Sequence, residues 1–321
     1  MPSFDVVIPN YNYGRYLRAC VDSVRSQDVE DLRILIVDNA STDDSPEIAR
    51  ALAAEDPRVE LRLRPRNLGP HASFNEGIDW ARSDYFLILC SDDMLVPGAL
   101  RRASAVLEAH PDINLTYGRV SSIAGDLSPL PAENSDASWV PVMGSDLLAG
   151  LCHAARNYIG GPSVIVRTSV QKSLGHYSQT LRHADDLEMW LRFATTGNAA
   201  FLDCMQAYAR RHPYNQSSSV PNVLHWNMEF EAAFVEFFAA DGARLSNSDQ
   251  LRDDALRVLG ERAYCSAVTG ALRLAPEEIF KLLIYSFQRR KWPAKVFPPI
   301  GYILRRAGLM KPRSFASQIV S

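Results

Sequence analysis

Two adjacent carboxylates, Asp92 and Asp93, stand at the mouth of the apolar run Tyr85–Cys90 (YFLILC). Such a pair at a strand end offers hard oxygen donors suited to Mg²⁺ or Mn²⁺ shared with a diphosphate. It serves equally well as a helix cap or a solvated turn. A second acidic stretch, His183-Ala184-Asp185-Asp186-Leu187-Glu188-Met189-Trp190-Leu191-Arg192, opens a run with helical spacing. Acids there normally answer the helix dipole, which accounts for one of Asp185 and Asp186 but hardly for both, followed by Trp190 and Arg192. The third feature is Arg210-Arg211-His212 before a polar loop. Its imidazole is either a ligand or an ordinary surface or core residue.

These groups need a scaffold, and the first hundred residues supply one. Val6-Val7-Ile8 is a short β-branched run ended by Pro9, as in a buried parallel strand. Asn12–Gln27 follows with Leu17, Cys20, Val21 and Val24 at helical spacing. Leu32–Val37 is a second strand, and Ser45-Pro46-Glu47 gives an N-cap, a first-turn proline and an early acid for a second helix. Val59–Leu63 is a third strand, Phe74, Ile78 and Ala81 mark a third helix, and Tyr85–Cys90 is a fourth strand. This βαβαβαβ order predicts an open, doubly wound, mostly parallel sheet. Ligands of such sheets sit beyond the carboxyl ends of the strands. The polar segments Pro9-Asn10-Tyr11-Asn12, Asp38-Asn39-Ala40-Ser41 and Ser91-Asp92-Asp93 fall at three of those ends.

Beyond residue 100 the pattern is mixed: a helix over Leu100–His110, strands over Asn114–Val120 and Ser163–Arg167, a loop over Ser128–Pro141 and a helix over Asp185–Thr195. From Val223 the spacing is helical, through Phe230, Phe234 and Phe237 and then Ile279, Leu282, Leu283 and Phe287. A boundary near residue 220 is expected to divide an α/β domain, 1–220, from a helical C-terminal region, 221–321.

Taken in order, the Pro-Asn-Tyr-Asn turn, Val-Asp-Asn-Ala-Ser-Thr-Asp, Asn67-Leu68-Gly69 with Asn75-Glu76-Gly77, Ser-Asp-Asp, Asp-Asp-Leu-Glu-Met-Trp-Leu-Arg and Arg-Arg-His resemble the family-2 glycosyltransferases of the GT-A fold over residues 4–220. The resemblance implies an α/β GT-A sheet with a helical C-terminal extension, and an inverting, metal-dependent transfer from a nucleoside-diphosphate sugar. It implies nucleotide contacts at Pro9, Tyr11, Asn12, Asp38, Asn39 and Asp92. Asp93 matches the metal ligand, with His212 approaching the metal or diphosphate, and Asp186 matches the catalytic base. Asp185, Trp190 and Arg192 fall to acceptor contact or support. The cofactor implied is Mn²⁺ or Mg²⁺, and the acceptor a glycan or polyprenyl-linked sugar of bacterial surface-polysaccharide synthesis. Two departures stand out. Asp38-Asn39 replaces the two acids common in uridine-diphosphate enzymes and is similar to deoxythymidine-diphosphate rhamnosyltransferases, and Asp185 replaces the usual Glu. The alternatives are a non-catalytic nucleotide-sugar-binding scaffold of the same fold and a sugar-phosphate nucleotidyltransferase, although the first turn has only one glycine where the latter carry a glycine-rich loop.

Composition narrows the classes. The chain of 321 residues has 34 Lys plus Arg against 37 Asp plus Glu, a net charge of −3, which argues against a basic nucleic-acid binder. Five separated cysteines with no C-x-x-C pair indicate reduced thiols. No apolar run approaches a membrane span, the start is unlike a signal peptide, and a cytoplasmic protein is expected. Residues 289–321 carry eight cations and no Asp or Glu, leaving −11 on residues 1–288. The cations of 289–313 interleave with Trp292, Phe297, Ile300, Tyr302, Ile303 and Leu304. That pattern suits either a peripheral contact with the inner face of an anionic membrane or docking on the acidic body. Gln288-Arg289-Arg290-Lys291-Trp292 is near a processive-synthase signature but is read as coincidence. The oligomeric state stays open.

Overall fold

The β-branched runs of the first ninety residues pack as parallel strands with helices between them. In the computed structural model, residues 1–123, 138–271, 273–289, 299–300 and 303–304 are described. Strands β1 (Ser3–Asn10), β2 (Asp31–Asp38), β3 (Val59–Leu63) and β4 (Tyr85–Ile88) alternate with helices α1 (Gly14–Arg25), α2 (Ser45–Glu55) and α3 (Pro70–Trp80). Strand β1 runs parallel to both β2 and β4, and β2 parallel to β3, with Asn10 level with Asp38. Val6, Val7 and Ile8 are wholly buried, each gaining about 1.5–3 kcal/mol over an exposed position. Alternation sends Phe4, Val6 and Ile8 to a core shared with Leu17, Cys20, Leu52 and Leu100. Val7 points to the opposite face, against α3, where a Cβ on Gly77 would meet its side chain at 2.6 Å. Both faces are therefore covered, which is what doubly wound means physically.

The second half of the sheet adds β5 (Met94–Leu95), β6 (Ile113–Ile123), β7 (Trp139–Val142), β8 (Ile165–Arg167) and β9 (Asn198–Arg210), with α4 (Ala99–Ala109) and α6 (Thr168–Leu174) packed alongside; α5 (Gly144–Ala154) lies between β7 and β8 in sequence. The order is β3-β2-β1-β4-β8-β6-β9-β5, with β7 also on β9. Strand β8 is antiparallel to β4 and β6, while the long β6–β9 pairing is parallel and ends with Ile123 level with Arg210. The carboxyl ends of β1, β2, β4, β6 and β9 thus share one edge.

Several expectations change. Residues 139–141, read as loop, lie in β7, an edge strand that tolerates Pro141; residues 128–137 of that stretch lie outside the described residues. The cap of α2 moves from Ser45 to Asp44. The strand expected over Ser163–Arg167 opens with a 3₁₀ turn and pairs only over β8.

The packing forms two units, residues 1–143, 159–179 and 196–213, which hold the whole sheet, and residues 144–158, 180–195 and 214–321. The second is helical among the described residues: α5, α7 (Asp185–Ala194), α8 (Val223–Ala239), α9 (Ser248–Thr269) and α10 (Pro276–Arg289). Arg262 ties it together, donating to the carbonyls of Ala154 and Ala155 at 2.7 and 2.9 Å and to Asn227 Oδ1 at 3.1 Å. In the sheet unit Asp5 is the comparable tie. Wholly buried, its carboxylate accepts from Arg33 Nε (2.8 Å), Ser83 Oγ (2.8 Å) and the backbone N–H groups of Arg82 (2.5 Å) and Ser83 (2.8 Å). Four bonds offset the several kcal/mol that an isolated buried charge costs, and they pin the approach to β4 onto β1.

Candidate functional site

The turns after β1 and β2 are braced against each other. Asn10 Nδ2 donates to Asp38 Oδ2 at 2.8 Å, and Asp38 Oδ1 accepts from the Ser41 backbone N–H at 3.0 Å. Ser41 Oγ accepts from the Asn12 N–H at 2.9 Å, and Asn12 Oδ1 accepts from the Thr42 N–H at 2.7 Å. Asn12 and Ala40 both have left-handed backbones, φ 57° and 63°. Asparagine takes that region readily; for alanine it costs about 1–2 kcal/mol. Strain of this kind persists where the surroundings over-determine it.

Asn39, beside this brace, is committed to the protein. Its Nδ2 donates to Asn67 Oδ1 (2.8 Å) and the Gly69 carbonyl (3.1 Å), while its Oδ1 accepts from the Leu68 N–H (3.0 Å) and Arg64 (3.2 Å). Those four bonds use both amide hydrogens and both lone pairs. Asp38 is also fully buried, whereas Tyr11 is 43% exposed and Pro9 and Asn12 are half-buried.

Beyond β4 the chain turns through Cys90 and Ser91 to Asp92 and Asp93, both buried. Asp93 Oδ1 accepts the Arg210 backbone N–H at 3.0 Å, and Arg210 Nε donates to the Asp92 carbonyl at 3.1 Å. His212 Nε2 lies 3.1 Å from Asp92 Oδ2. The imidazole stacks on Tyr16 at 5.2 Å and meets Tyr13 edge-on at 5.0 Å, and the Arg210 guanidinium sits 4.6 Å over the Tyr16 ring. Burial pushes the Asp92 carboxyl above its ordinary range, opposed by His212 and Arg210. Burial and then the charge of Asp92 push Asp93 well up. Burial, helped by the same charge, raises the Tyr13 phenol.

Two neighbouring buried carboxylates that resist ionising together are stabilised by a cation. Cys90 Sγ and carboxylate oxygens of Asp92 and Asp93 lie within 4.8 Å of one another, so the donors present fit a divalent ion that prefers oxygen ligands. His212 lies outside that trio and joins it through Asp92.

Asp185, Asp186, Trp190 and Arg192 all lie on α7, in the helical unit. Asp186 is half-buried at the first turn; burial, with the charge of Asp185 second, pushes its carboxyl up to about 8. Arg192 is buried and donates to Glu188 Oε2 at 2.8 Å, a pairing one turn apart that fixes the helix face. Trp190 is buried, its ring 6.1 Å from that of Phe193.

The structure thus gathers Asp92, Asp93 and His212 in one cluster and Asn12 and Asp38 in one brace. Tyr13, Tyr16 and Cys90 are additions, and Arg210, named in the sequence only as the start of the Arg-Arg-His run, gains its contacts with Asp92 and Asp93. The i, i+3 spacing of Tyr13 and Tyr16 ahead of Leu17 would have marked one helix face; no pattern pointed to Cys90.

Known proteins align with these features. The model of glycosyl transferase family 2 matches residues 5–174. An uncharacterized protein of Sinorhizobium fredii, y4gI, is 33% identical over 195 residues, 60% of this chain and 20% of its own length. A PGL/p-HBAD biosynthesis glycosyltransferase of Mycobacterium bovis is 34% identical over 123 residues, 37% of this chain and 47% of its own. The aligned regions therefore span less than half the length of these two relatives. Among solved structures, S. aureus TarS 1–349 in complex with UDP-GlcNAc superposes with a TM-score of 0.67 at 19% identity, covering 96% of this chain and 88% of that one. A mannosyltransferase of Pyrobaculum calidifontis in complex with GDP-Man and Mn²⁺ gives 0.54 at 16%, covering 96% and 86%. The architecture is of the GT-A type expected.

Proposed function

Because the chain belongs to glycosyl transferase family 2, we propose that it moves a sugar from a nucleoside diphosphate to a hydroxyl of a glycan or lipid-linked acceptor, with inversion at the anomeric carbon. The observation that carries this reading is the Asp92, Asp93, Arg210 and His212 cluster at the carboxyl edge of the parallel strands, where a diphosphate is recognised in such sheets. The nucleotide and metal complexes of TarS and the Pyrobaculum enzyme support a donor of this class, and the mycobacterial relative, named a biosynthesis glycosyltransferase, supports glycosyl transfer.

The residues divide the work. Pro9, Tyr11 and Asn12 line the nucleotide's approach, while Asp38 and Asn39, bonded internally, hold the shape of that wall. Asp92 receives the ribose or diphosphate, and Arg210 and His212 fix its orientation. Asp93, with Asp92 and Cys90 beside it and His212 reaching the group through Asp92, would hold Mn²⁺ or Mg²⁺. When bound, that ion supplies Lewis-acid neutralisation of the charge on the departing diphosphate. The acceptor oxygen attacks the anomeric carbon as the bond to the diphosphate oxygen breaks, the electron pair leaves with the nucleotide, and Asp186 takes the hydroxyl proton. One base without a carboxylate nucleophile gives single displacement and inversion. Asp185, Trp190 and Arg192 set the helix that presents Asp186.

The test is incubation with Mn²⁺ and UDP-, dTDP- or GDP-sugars, read as nucleotide release with and without a glycan acceptor. Acceptor-stimulated release from one donor, lost in Asp186→Asn, is expected. Donor binding without release in every combination points to a binding scaffold instead.

A further inference from the structure

The chain leaves β4 through a tight turn. The Asp93 backbone N–H donates to the Cys90 carbonyl at 2.9 Å, so residues 90 to 93 close on themselves, and such a turn brings its two ends within about 7 Å. The same carbonyl accepts the thiol of Cys20, a wholly buried residue of α1, at 3.5 Å. Two donors from different elements thus fix the backbone of Cys90 beside the acidic pair.

The turn produces a mixed donor set. Cys90 Sγ and carboxylate oxygens of Asp92 and Asp93 share a span of 4.8 Å. A free cysteine is ordinarily a small buried apolar residue, and Cys20, Cys152, Cys204 and Cys265 are buried in that way. Cys90 is exposed, so packing does not explain it, while both carboxylates behind it are buried.

Sulfur separates ions that two carboxylates alone would treat alike. Carboxylate and water ligands suit Mg²⁺ and Mn²⁺, whereas thiolate draws softer ions. Mg²⁺ in particular gives up its waters reluctantly and takes oxygen ligands. We propose that Cys90 is a ligand of the ion that Asp92 and Asp93 hold, bound as thiolate with its proton released to water, and that its sulfur tilts the site away from Mg²⁺ toward ions that accept sulfur, such as Co²⁺ and Zn²⁺. This role rests on the reading of the acidic pair as a divalent-ion site: the carboxylates hold an ion, and the thiol sets which ion it is.

The experiment titrates the full chain, stripped of metal under a reductant, with Co²⁺ and separately with Mg²⁺, read by absorbance and calorimetry. A thiolate-to-cobalt charge-transfer band should rise and saturate at about one equivalent per chain. Cys90→Ser keeps an oxygen at this exposed position; it should abolish the band, weaken Co²⁺ binding about tenfold or more and leave Mg²⁺ binding within about twofold, with circular dichroism unchanged. The comparison is between native chain and variant, because ions differ in affinity at any site. In the native chain, with no substitution made, Co²⁺ but not Mg²⁺ should slow modification of the exposed thiol by Ellman's reagent. Co²⁺ binding without the band, a band that survives in Cys90→Ser and so belongs to another thiol, or equal slowing by both ions overturns the assignment and leaves the carboxylate site standing. A native chain that binds neither ion overturns both together.

Discussion

His212 Nε2 stands 3.1 Å from Asp92 Oδ2, and the two groups come from the ends of different strands more than a hundred residues apart. The contact closes one side of the carboxylate pair with a group able to carry positive charge, while the rings of Tyr13 and Tyr16 hold the imidazole in place.

His212→Ala should therefore weaken metal-dependent nucleotide binding by about tenfold, the scale of a lost charge-assisted contact. Calorimetric titration of UDP, dTDP and GDP with Mn²⁺ checks it; unchanged affinity would remove His212 from the site.

Asp93→Asn keeps the hydrogen bond from the Arg210 N–H but removes the charge. Nucleotide binding should become nearly insensitive to added Mn²⁺ or EDTA, where the native chain responds to both. Paramagnetic resonance of free Mn²⁺ reports the lost ion directly. A native-like ion affinity in this variant contradicts the assignment.

The Asp186 carboxyl, pushed up to about 8, has a definite pH signature. A base must be ionised to accept a proton, so kcat/KM should climb about tenfold per pH unit up to about 8 and then level. Stability moves in the opposite direction. A carboxyl protonated in the fold but ionised when unfolded loses stability as pH rises from the ordinary carboxyl range to about 8. Asp186→Asn should lower turnover by about 10²–10⁴-fold and flatten both profiles. A native pH profile in the variant places the base elsewhere.

Asp5→Ala tests the fold alone. It strands Arg33, Ser83 and two backbone N–H groups in the buried end of the sheet. A loss of about 3–5 kcal/mol is expected, as for other broken buried pairs. Chemical denaturation measures it, and a loss under about 1 kcal/mol would show that water replaces the carboxylate.

Strands β1 to β4 were readable because each is a short apolar run between turn residues, and their carboxyl ends carried the polar groups. Strand β9 was not. Asn198–Arg210 mixes Asp203, Cys204, Met205 and Gln206 into its middle, and only pairing with β6 and β7 makes it a strand. That omission hid the role of Arg210, already named ahead of His212, because its backbone position against Asp93 comes from the ladder rather than from its side-chain type. Helix α10 shows the opposite limit: its spacing was plain, but periodicity cannot tell that Leu282 is buried while Leu283 and Phe287 stay exposed. The two packing units interleave along the chain.

The brace joining Asn10, Asp38, Ser41, Asn12 and Thr42 makes the turns after β1 and β2 one mechanical piece. Grafting either loop alone into a homologue would sever these crosslinks and leave the recipient's turns misshapen. A chimera must transplant both loops together.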